Sequence, residues 1–289
     1  MRRACIDIGS NTTRLLVADD DGQLLCEVHQ ERAFTRIGRG VRADGRIAAA
    51  KIADVVEVVS EQLRTARELG AQDVRAVATA AIRQAANGGA LVEAIRAACE
   101  VEVEVLSGEE EARLAFVGAA RTLDHAPRGE LGVVDVGGGS SELVVGRAPG
   151  HVSWCTSFAI GSGDLADHCL RSDPPSSAEL AAARERVAQA VEGMHAPHPA
   201  EAVAVGGSAT SLRQLAGPLL DAAAFARSLG LLSSQPAAEV ARRYSLDFER
   251  VRLLPAGLLI LEAASRLFGT SLQIARGGVR EGVLLEASG

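Results

Sequence analysis

Hydrophobic and polar positions alternate along the chain in a pattern that divides it into two halves. In the first half, short apolar runs predict three strands before about residue 35, with turns at Gly9–Asn11 and at Asp19–Gly22. A Gly- and Arg-rich stretch, Ile37–Arg46, precedes apolar residues at helical spacing from Ile47 to Leu63. The elements predicted next are a strand at Val74–Ala78, a helix at Ala90–Cys99, a strand at Val101–Leu106 and a helix that opens at Ser107.

The second half repeats the order of the first. Apolar runs predict strands at Leu131–Val136, Leu143–Gly146 and His151–Ala159. The elements predicted after them are helices at Gly163–Leu170 and Ala178–Met194, a strand at Ala202–Val205, helices at Ala222–Leu232, Ala237–Tyr244 and Glu249–Phe268, a strand at Leu272–Ala275 and a terminal helix from Val279. Three strands followed by alternating helices and strands is the order of a ribonuclease-H-like domain, so we expect an α/β protein with two such domains.

The length of the chain supports this count. With 289 residues it exceeds the size of a typical single domain, roughly 100–200 residues. The best boundary is the stretch Thr122–Gly129, which predicts an N-terminal domain of residues 1–123 and a C-terminal domain of residues 124–289. We expect the last helix, about residues 279–289, either to stay with the second domain or to pack back on the first.

The net charge limits which partners the protein can bind, and the cysteine content indicates the compartment in which it works. A net charge of −7 argues against non-specific nucleic-acid binding, and an acidic protein that binds polyanions needs a local positive patch. Lys51 is the only lysine among 30 basic residues, so arginine must supply that patch. The five scattered cysteines form no CxxC pair, and no signal peptide or membrane span is predicted. We therefore expect a cytoplasmic protein without a membrane partner.

Glycine-rich turns after buried strands are the main candidates for chemistry. Asp7 precedes Gly9, Ser10, Asn11 and Thr12, and the segment recurs in altered form where Asp135 precedes Gly137, Gly138, Gly139, Ser140 and Ser141. Glycines let backbone N–H groups approach an oxyanion, hydroxyls add donors, and the carboxylate can hold a metal ion or a water molecule. A third turn, Gly206, Gly207 and Ser208, comes before a helix predicted from Ala209, where the helix dipole favours an anion. Two similar halves would then face a shared phosphate-binding cleft, although ordinary hairpin turns remain an alternative for each loop.

Charged residues near these loops have both a functional and a structural interpretation. Glu142 is placed to join Asp135 around a divalent cation, or to lie solvated on the return strand. Arg83 follows a predicted strand and could clamp phosphate bidentately, or be a surface arginine. Ser107 and Glu110 have capping-box spacing, and acidic residues suit a first helical turn, so composition alone selects no catalytic glutamate from Glu109, Glu110 and Glu111.

Five ordered segments together resemble the exopolyphosphatase/guanosine pentaphosphate phosphatase (Ppx/GppA) family. They are Asp7–Arg14, Ala80–Ala85, Ser107–Leu114, Asp135–Glu142 and Arg276–Gly282, and they extend over nearly the whole chain. The resemblance implies an actin-like, sugar-kinase-like (ASKHA) fold with an interdomain cleft, a homodimer, and hydrolysis of a terminal phosphoanhydride in inorganic polyphosphate or pppGpp with Mg²⁺ or Mn²⁺.

The same resemblance implies roles for individual residues. The catalytic glutamate of the family matches Glu111, and its phosphate-clamping arginine matches Arg83. Its metal-associated carboxylates match Asp135 and Glu142, with Asp7 as a further candidate. The phosphate loops match the glycine-rich turns described above, including Gly206–Ser208.

Scarce aromatic residues, one Trp, one Tyr and six Phe, favour inorganic polyphosphate over pppGpp as the substrate. Longer members of the resembled family carry extra C-terminal domains that this sequence does not show, so we expect action on short chains and no processive action on long polymers. Three alternatives stay open: a pppGpp 5′-phosphohydrolase, a kinase of the same superfamily, and a non-catalytic sensor that binds guanosine tetraphosphate or polyphosphate.

Overall fold

The computed structural model describes residues 1–21 and 25–286. Contacts along the chain separate two units. Unit 1 comprises Met1–Thr122 together with Gly277–Gly289, and unit 2 comprises Leu123–Arg276. The terminal helix therefore belongs to unit 1, although it follows unit 2 in the sequence.

Unit 1 is a five-stranded sheet with helices on both faces. Its strands follow the order β3-β2-β1-β4-β5, in which β1 is antiparallel to β2 and parallel to β4. The elements are β1 (Arg2–Ile8), β2 (Thr13–Asp20), β3 (Leu25–Ala33), α1 (Ile37–Asp44), α2 (Ala49–Glu68), β4 (Asp73–Ala78), α3 (Ala80–Gln84), α4 (Gly88–Cys99), β5 (Val103–Val105) and α5 (Gly108–Arg121), joined by the terminal helix α13 (Val279–Glu286).

Side chains of β1 alternate between two hydrophobic clusters, as expected for a strand covered on both faces. Ile6 and Ile8 pack in the cluster that includes α2 and α4, whereas Cys5 points to the cluster formed with α5 and α13. Helices α5 and α13 approach very closely, because a Cβ at Gly118 in α5 would lie 2.0 Å from the carbonyl oxygen of Gly278, the residue before α13. Only glycine allows this contact, which fixes α13 against α5.

Unit 2 is a six-stranded sheet with the order β10-β11-β9-β6-β7-β8. Strand β6 is antiparallel to β7 and parallel to β9, which repeats the arrangement around β1 in unit 1. The elements are β6 (Leu131–Val136), β7 (Ser141–Arg147), β8 (His151–Phe158), α6 (Ser162–Cys169), α7 (Ser177–Val191), β9 (Glu201–Val205), α8 (Gly206–Ala216), β10 (Leu219–Leu220), α9 (Ala222–Ser234), α10 (Ala237–Tyr244), α11 (Phe248–Val251), α12 (Leu254–Phe268) and β11 (Leu272–Ile274).

Both sheets thus contain the strand order expected of ribonuclease-H-like domains, and the predicted α/β fold class is confirmed. The predicted helix Glu249–Phe268 is wrong in one respect, because the chain forms two helices that separate near Leu253, with Pro255 in the first turn of the second. The turn predicted at Asp19–Gly22 also begins too early, since β2 extends to Asp20. The rest of that turn includes Gly22, which lies outside the described residues.

In the described part of the chain, no helix is both long enough and apolar enough to cross a membrane.

Candidate functional site

The two predicted phosphate loops have the same backbone geometry, each within its own unit. In unit 1 the Gly9 N–H donates to the Thr12 carbonyl at 3.0 Å, and in unit 2 the Gly137 N–H donates to the Ser140 carbonyl at 3.0 Å. A Cβ at these glycines would lie 3.0 and 3.1 Å, respectively, from the same carbonyl oxygens. Each hairpin therefore closes on its first glycine, where a side chain would crowd the turn. The N–H of that glycine supports the loop instead of facing a ligand.

Asp7 lies at the end of β1, on the sheet face that α5 and α13 cover. Within residues 1–21 and 25–286, its Oδ1 atom is buried and has no hydrogen-bond partner, and the same is true of Nδ2 of Asn11 in the adjoining loop. Burial raises the pKa of the Asp7 carboxyl, while the positive charges of Arg14 and Arg280 oppose that rise. A buried acceptor and a buried donor that lack partners are features of a site that a bound group completes.

Glu111 and Arg83 are brought together, although they are distant in the sequence. Arg83 lies on the short helix α3 after β4, and its Nη1 donates to Oε2 of Glu111 at 3.2 Å and to the Leu106 carbonyl at 2.5 Å. Glu111 is on the first turn of α5 and is only 7% exposed. A buried carboxylate is costly unless it is paired, so Arg83 both stabilises Glu111 and sets its position.

Local structure accounts for Glu110 in a different way from the sequence prediction. Ser107 caps α5, because its Oγ accepts from the Glu110 N–H at 3.1 Å. The reciprocal half of the predicted capping box is absent, since the Glu110 carboxylate pairs with Arg113 at 2.7 Å. That ion pair and hydrogen bond lower the pKa of Glu110. Among the three consecutive glutamates, the exposed Glu109 and the paired Glu110 therefore have surface roles, and Glu111 is the buried one.

Carboxylates line one face of the unit 2 sheet beside the second loop. Asp135 on β6 is directly opposite Glu142 on β7, and Glu142 is opposite Ser157 on β8. Directly opposed residues in antiparallel strands place their side chains on the same face. The Ser157 hydroxyl donates to Oε1 of Glu142 at 2.9 Å, and Glu142 is 1% exposed. Two neighbouring carboxylates supply the hard oxygen ligands that Mg²⁺ prefers.

The equivalent positions in unit 1 keep the aspartate but carry arginines where unit 2 has Glu142 and Ser157. Asp7 is opposite Arg14, and Arg14 is opposite Arg32. The internal repeat has therefore diverged chemically, because the same three positions form a largely basic row in unit 1 and an acidic row in unit 2. The first suits phosphate oxygens and the second suits a cation.

The third glycine turn is the first turn of helix α8, which corrects the prediction of a helix from Ala209. Gly206 has φ of +82°, and a Cβ there would lie 2.2 Å from Oδ1 of Asp135. This position therefore requires glycine, and it places the N-terminus of α8 beside Asp135. The Ser208 hydroxyl is buried without a hydrogen-bond partner in the described residues, and it packs closely against Gly257. Backbone N–H groups and a buried hydroxyl at a helix N-terminus suit an anion.

The start of helix α6, which contains Gly161, supports the second loop. The Ser162 and Asp164 N–H groups donate to the Gly137 and Gly138 carbonyls, both at 2.9 Å. A Cβ at Gly161 would lie 2.4 Å from the Gly138 carbonyl carbon. The N-terminus of α6 therefore holds the loop in position through backbone hydrogen bonds and close backbone packing. The only sequence signal for this support is the pair of glycines in Gly161-Ser162-Gly163.

No cluster of three or more His, Cys, Asp or Glu side chains that could hold a metal occurs in residues 1–21 and 25–286. Asp135 and Glu142 still fit a divalent cation, since Mg²⁺ is commonly held by one or two carboxylates together with water and substrate phosphates. The structure thus brings Asp135 beside Glu142 within unit 2 and Glu111 beside Arg83 within unit 1.

The chain is similar to known proteins of one phosphatase family. The model of the Ppx/GppA phosphatase family matches residues 16–288. Exopolyphosphatase 2 of Mycobacterium tuberculosis is 36% identical over 228 residues, which are 74% of this chain and 70% of that protein. A guanosine-5′-triphosphate,3′-diphosphate pyrophosphatase of Aeromonas hydrophila is 27% identical over 97% of this chain and 58% of its own length. The structure of the Aquifex aeolicus PPX-GPPA enzyme matches with a TM-score of 0.80 and 30% identity, covering 99% of both chains.

Proposed function

This chain belongs to the Ppx/GppA phosphatase family, as its five sequence segments predicted, and we propose that it hydrolyses the terminal phosphoanhydride bond of inorganic polyphosphate and releases orthophosphate. The observation that carries this proposal is the buried Glu111 carboxylate held by Arg83 at the start of α5. A carboxylate fixed in this way can orient or deprotonate a water molecule for attack on phosphorus.

In the proposed reaction the water oxygen forms a bond to the terminal phosphorus, and the bridging P–O bond to the next phosphate breaks. Glu111 accepts the proton of the attacking water, and the bond electrons remain on the shortened phosphate chain. Donors aimed at the phosphate oxygens stabilise the charge that develops there, which is the largest catalytic contribution in reactions of this type.

Each unit by itself contains candidate donors to phosphate oxygens. Unit 1 supplies Arg83 and the loop Gly9–Thr12, including the buried amide of Asn11. Unit 2 supplies the loop Gly137–Ser141 and the N-terminus of α8 at Gly206–Ser208, including the buried Ser208 hydroxyl. The unpartnered buried donors support this assignment, because a phosphate oxygen would satisfy them.

We assign a divalent cation, Mg²⁺ or Mn²⁺, to Asp135 and Glu142. When bound, such an ion offsets negative charge on the substrate phosphates. The Ser157 hydroxyl holds the Glu142 carboxylate in place, and Gly206 leaves room for Asp135. Asp7, with its buried Oδ1, stays a candidate metal ligand in unit 1.

Polyphosphate is preferred to pppGpp because aromatic residues that could stack on a guanine base are few, at 3% of the chain. Hydrolysis of pppGpp is the second candidate function, because this chain is similar to the guanosine-5′-triphosphate,3′-diphosphate pyrophosphatase of Aeromonas hydrophila. A non-catalytic sensor would bind these anions without needing a buried water-positioning carboxylate. A homodimer and a cytoplasmic location remain predictions from the resemblance and from the cysteine pattern.

The test compares two neighbouring glutamates on the same helical turn. Glu111→Gln removes the proposed base and should lower the rate of orthophosphate release about 10²–10⁴-fold, with the melting temperature retained. Glu109→Gln makes the same charge change at an exposed position and should keep wild-type turnover. Equal activity of the two variants on tripolyphosphate would exclude the proposed role of Glu111.

A further inference from the structure

The main chain that carries Arg83 belongs to a helix of five residues, α3. A helix this short is not stable by itself, because isolated helices in water need roughly 12–15 residues. Its position must therefore come from the segments that pack against it. The residues that follow α3, up to the start of α4 at Gly88, make contacts of this kind.

The Asn87 carboxamide binds the main chain of a segment 40 residues away. Its Oδ1 accepts from the Ile47 N–H at 2.8 Å, and its Nδ2 donates to the Ile47 carbonyl at 2.9 Å. The Ala86 N–H donates to the Gly45 carbonyl at 2.9 Å. An amide that satisfies both polar groups of one residue fixes the distance and the orientation of the two segments. These bonds therefore hold the residues after α3 against the turn that separates α1 from α2.

The turn held by Asn87 is itself connected to the first phosphate loop through α1. The Gly38 N–H, in the first turn of α1, donates to the Ser10 carbonyl at 2.8 Å. At the other end of this helix, the Gly45 N–H donates to the Val41 carbonyl at 2.8 Å. Hydrogen-bonded main chain thus runs from the loop through α1 to the residues after α3. Asn87 is therefore placed to set where α3 lies relative to that loop.

Gly88 packs directly against the peptide group that precedes Arg83. A Cβ at Gly88 would lie 2.2 Å from the carbonyl oxygen of Ile82, which belongs to the peptide bond between Ile82 and Arg83. Because the obstacle is main chain, it cannot turn aside as a flexible side chain can. A methyl group there would have to move away by roughly 1 Å to reach an ordinary nonbonded separation. Gly88 is buried, whereas a Cβ at the exposed Gly89 would point into open space.

The contacts of Arg83 depend on such precision, because they join it to two acceptors at once. Its Nη1 donates to Oε2 of Glu111 at 3.2 Å and to the Leu106 carbonyl at 2.5 Å. Hydrogen bonds between nitrogen and oxygen extend to about 3.2 Å, so the bond to Glu111 is near its limit. A shift of about 1 Å in α3 would break this bond and separate the buried carboxylate from its cation.

We propose that Asn87 and Gly88 are positioning residues for the reaction. They fix the main chain of Arg83, and through it the Glu111 carboxylate, relative to the first phosphate loop. The proposal rests on the proposed function and deepens it, because it states what sets the geometry of the proposed catalytic pair. Both residues act through Arg83 and not by contact with the substrate.

The test uses two pairs of variants. Gly88→Ala and Gly89→Ala make the same change at adjacent positions in the first turn of α4, where alanine favours a helix more than glycine does. Asn87→Ala removes the carboxamide, and Val59→Ala destabilises the core of the same unit from a fully buried position in α2. Each is made in wild type and in Arg83→Gln. The measurements are kcat and KM for tripolyphosphate with Mg²⁺, and the melting temperature.

Gly88→Ala should lower kcat about 10²-fold, the loss expected for a misplacement of about 1 Å. Asn87→Ala removes a restraint without forcing a displacement, so its loss should be smaller, about tenfold. Gly89→Ala and Val59→Ala should keep wild-type kcat when assayed well below their melting transitions. In the Arg83→Gln background, Gly88→Ala should cause no further loss, because the guanidinium that it displaces is already gone.

Crystal structures of the two glycine variants give a result that does not depend on turnover. The distance from Arg83 Nη1 to Glu111 Oε2 should stay near 3.2 Å in Gly89→Ala and exceed about 3.5 Å in Gly88→Ala. An unchanged distance in Gly88→Ala would overturn the proposal. An equal loss of kcat in Gly89→Ala would do the same, as would a full further loss in the Arg83→Gln background, which is the behaviour of a merely structural residue. If wild type releases no orthophosphate, the proposed hydrolysis fails, yet the distance still tests the positioning of Arg83.

Discussion

Gly161 should be essential for catalysis although it touches no reacting group. Its backbone is extended, with φ of −118° and ψ of 173°, so alanine can adopt its conformation without strain. The effect of Gly161→Ala therefore comes only from the added methyl group. That group would lie 2.4 Å from the Gly138 carbonyl carbon, 2.5 Å from the Gly139 nitrogen and 2.7 Å from the Gly137 carbonyl oxygen.

The size of the effect follows from these distances. Nonbonded carbon atoms prefer separations of about 3.5–4.0 Å, so the loop or α6 must move by roughly 1 Å. A misplacement of about 1 Å in a substrate-positioning element can lower a rate about 10²-fold. We therefore expect Gly161→Ala to lower kcat for polyphosphate about 10²-fold, and to cost about 1–3 kcal/mol of folding free energy through overpacking.

Gly132→Ala is the matched control, because it overpacks the core of the same unit away from the loop. Its Cβ would lie 2.8 Å from Cγ of Pro199 and 2.9 Å from Cε2 of Phe268. Both variants should lower the melting temperature, but only Gly161→Ala should lower kcat when phosphate release is assayed well below both transitions. Wild-type kcat for Gly161→Ala, or an equal loss in the control, would refute the positioning role of α6.

Three further predictions concern buried or charged groups. Burial raises the pKa of Asp7, so the protonated carboxyl stabilises the fold below the unfolded pKa of about 3.9, and this stabilisation is lost as pH rises through the folded pKa. Asp7→Asn should therefore have a higher melting temperature than wild type at neutral pH, and the difference should vanish in acid. Gly282→Ala places a methyl 2.1 Å from the Leu114 carbonyl oxygen and should cost about 1–3 kcal/mol in urea unfolding, whereas a neutral result would contradict the close packing of α13 on α5. Asp135→Asn should raise the Mg²⁺ concentration for half-maximal phosphate release, and an unchanged metal titration would exclude it as a ligand.

Periodic patterns predicted the sheets well, because buried strands and amphipathic helices carry a strong signal. The failures have local physical causes. Helix α1 was not predicted because it contains Gly38 and Gly40, and glycine disfavours helices. In the structure, hydrogen bonds to the first loop stabilise this helix. The break before Leu254 was missed because apolar periodicity continues through it, and the proline in the following turn was the available signal.

The candidate site was predictable in part. Glycine runs mark the loops because a plain turn does not need three consecutive glycines, as at Gly137–Gly139. Composition could not distinguish Glu111 from its two neighbours, since that distinction depends on burial and on the tertiary contact with Arg83. The role of Gly161 was equally hidden, because nothing in the local sequence shows which backbone will approach it.

The most direct test of the central claim is the fate of the water oxygen. Wild-type protein is incubated with tripolyphosphate and Mg²⁺ in ¹⁸O-labelled water, and the products are analysed by mass spectrometry. Attack of water on the terminal phosphorus predicts label in the released orthophosphate and none in the shortened chain. Orthophosphate without label, or phosphate transfer that occurs only when a nucleotide acceptor is added, would contradict hydrolysis and favour a kinase.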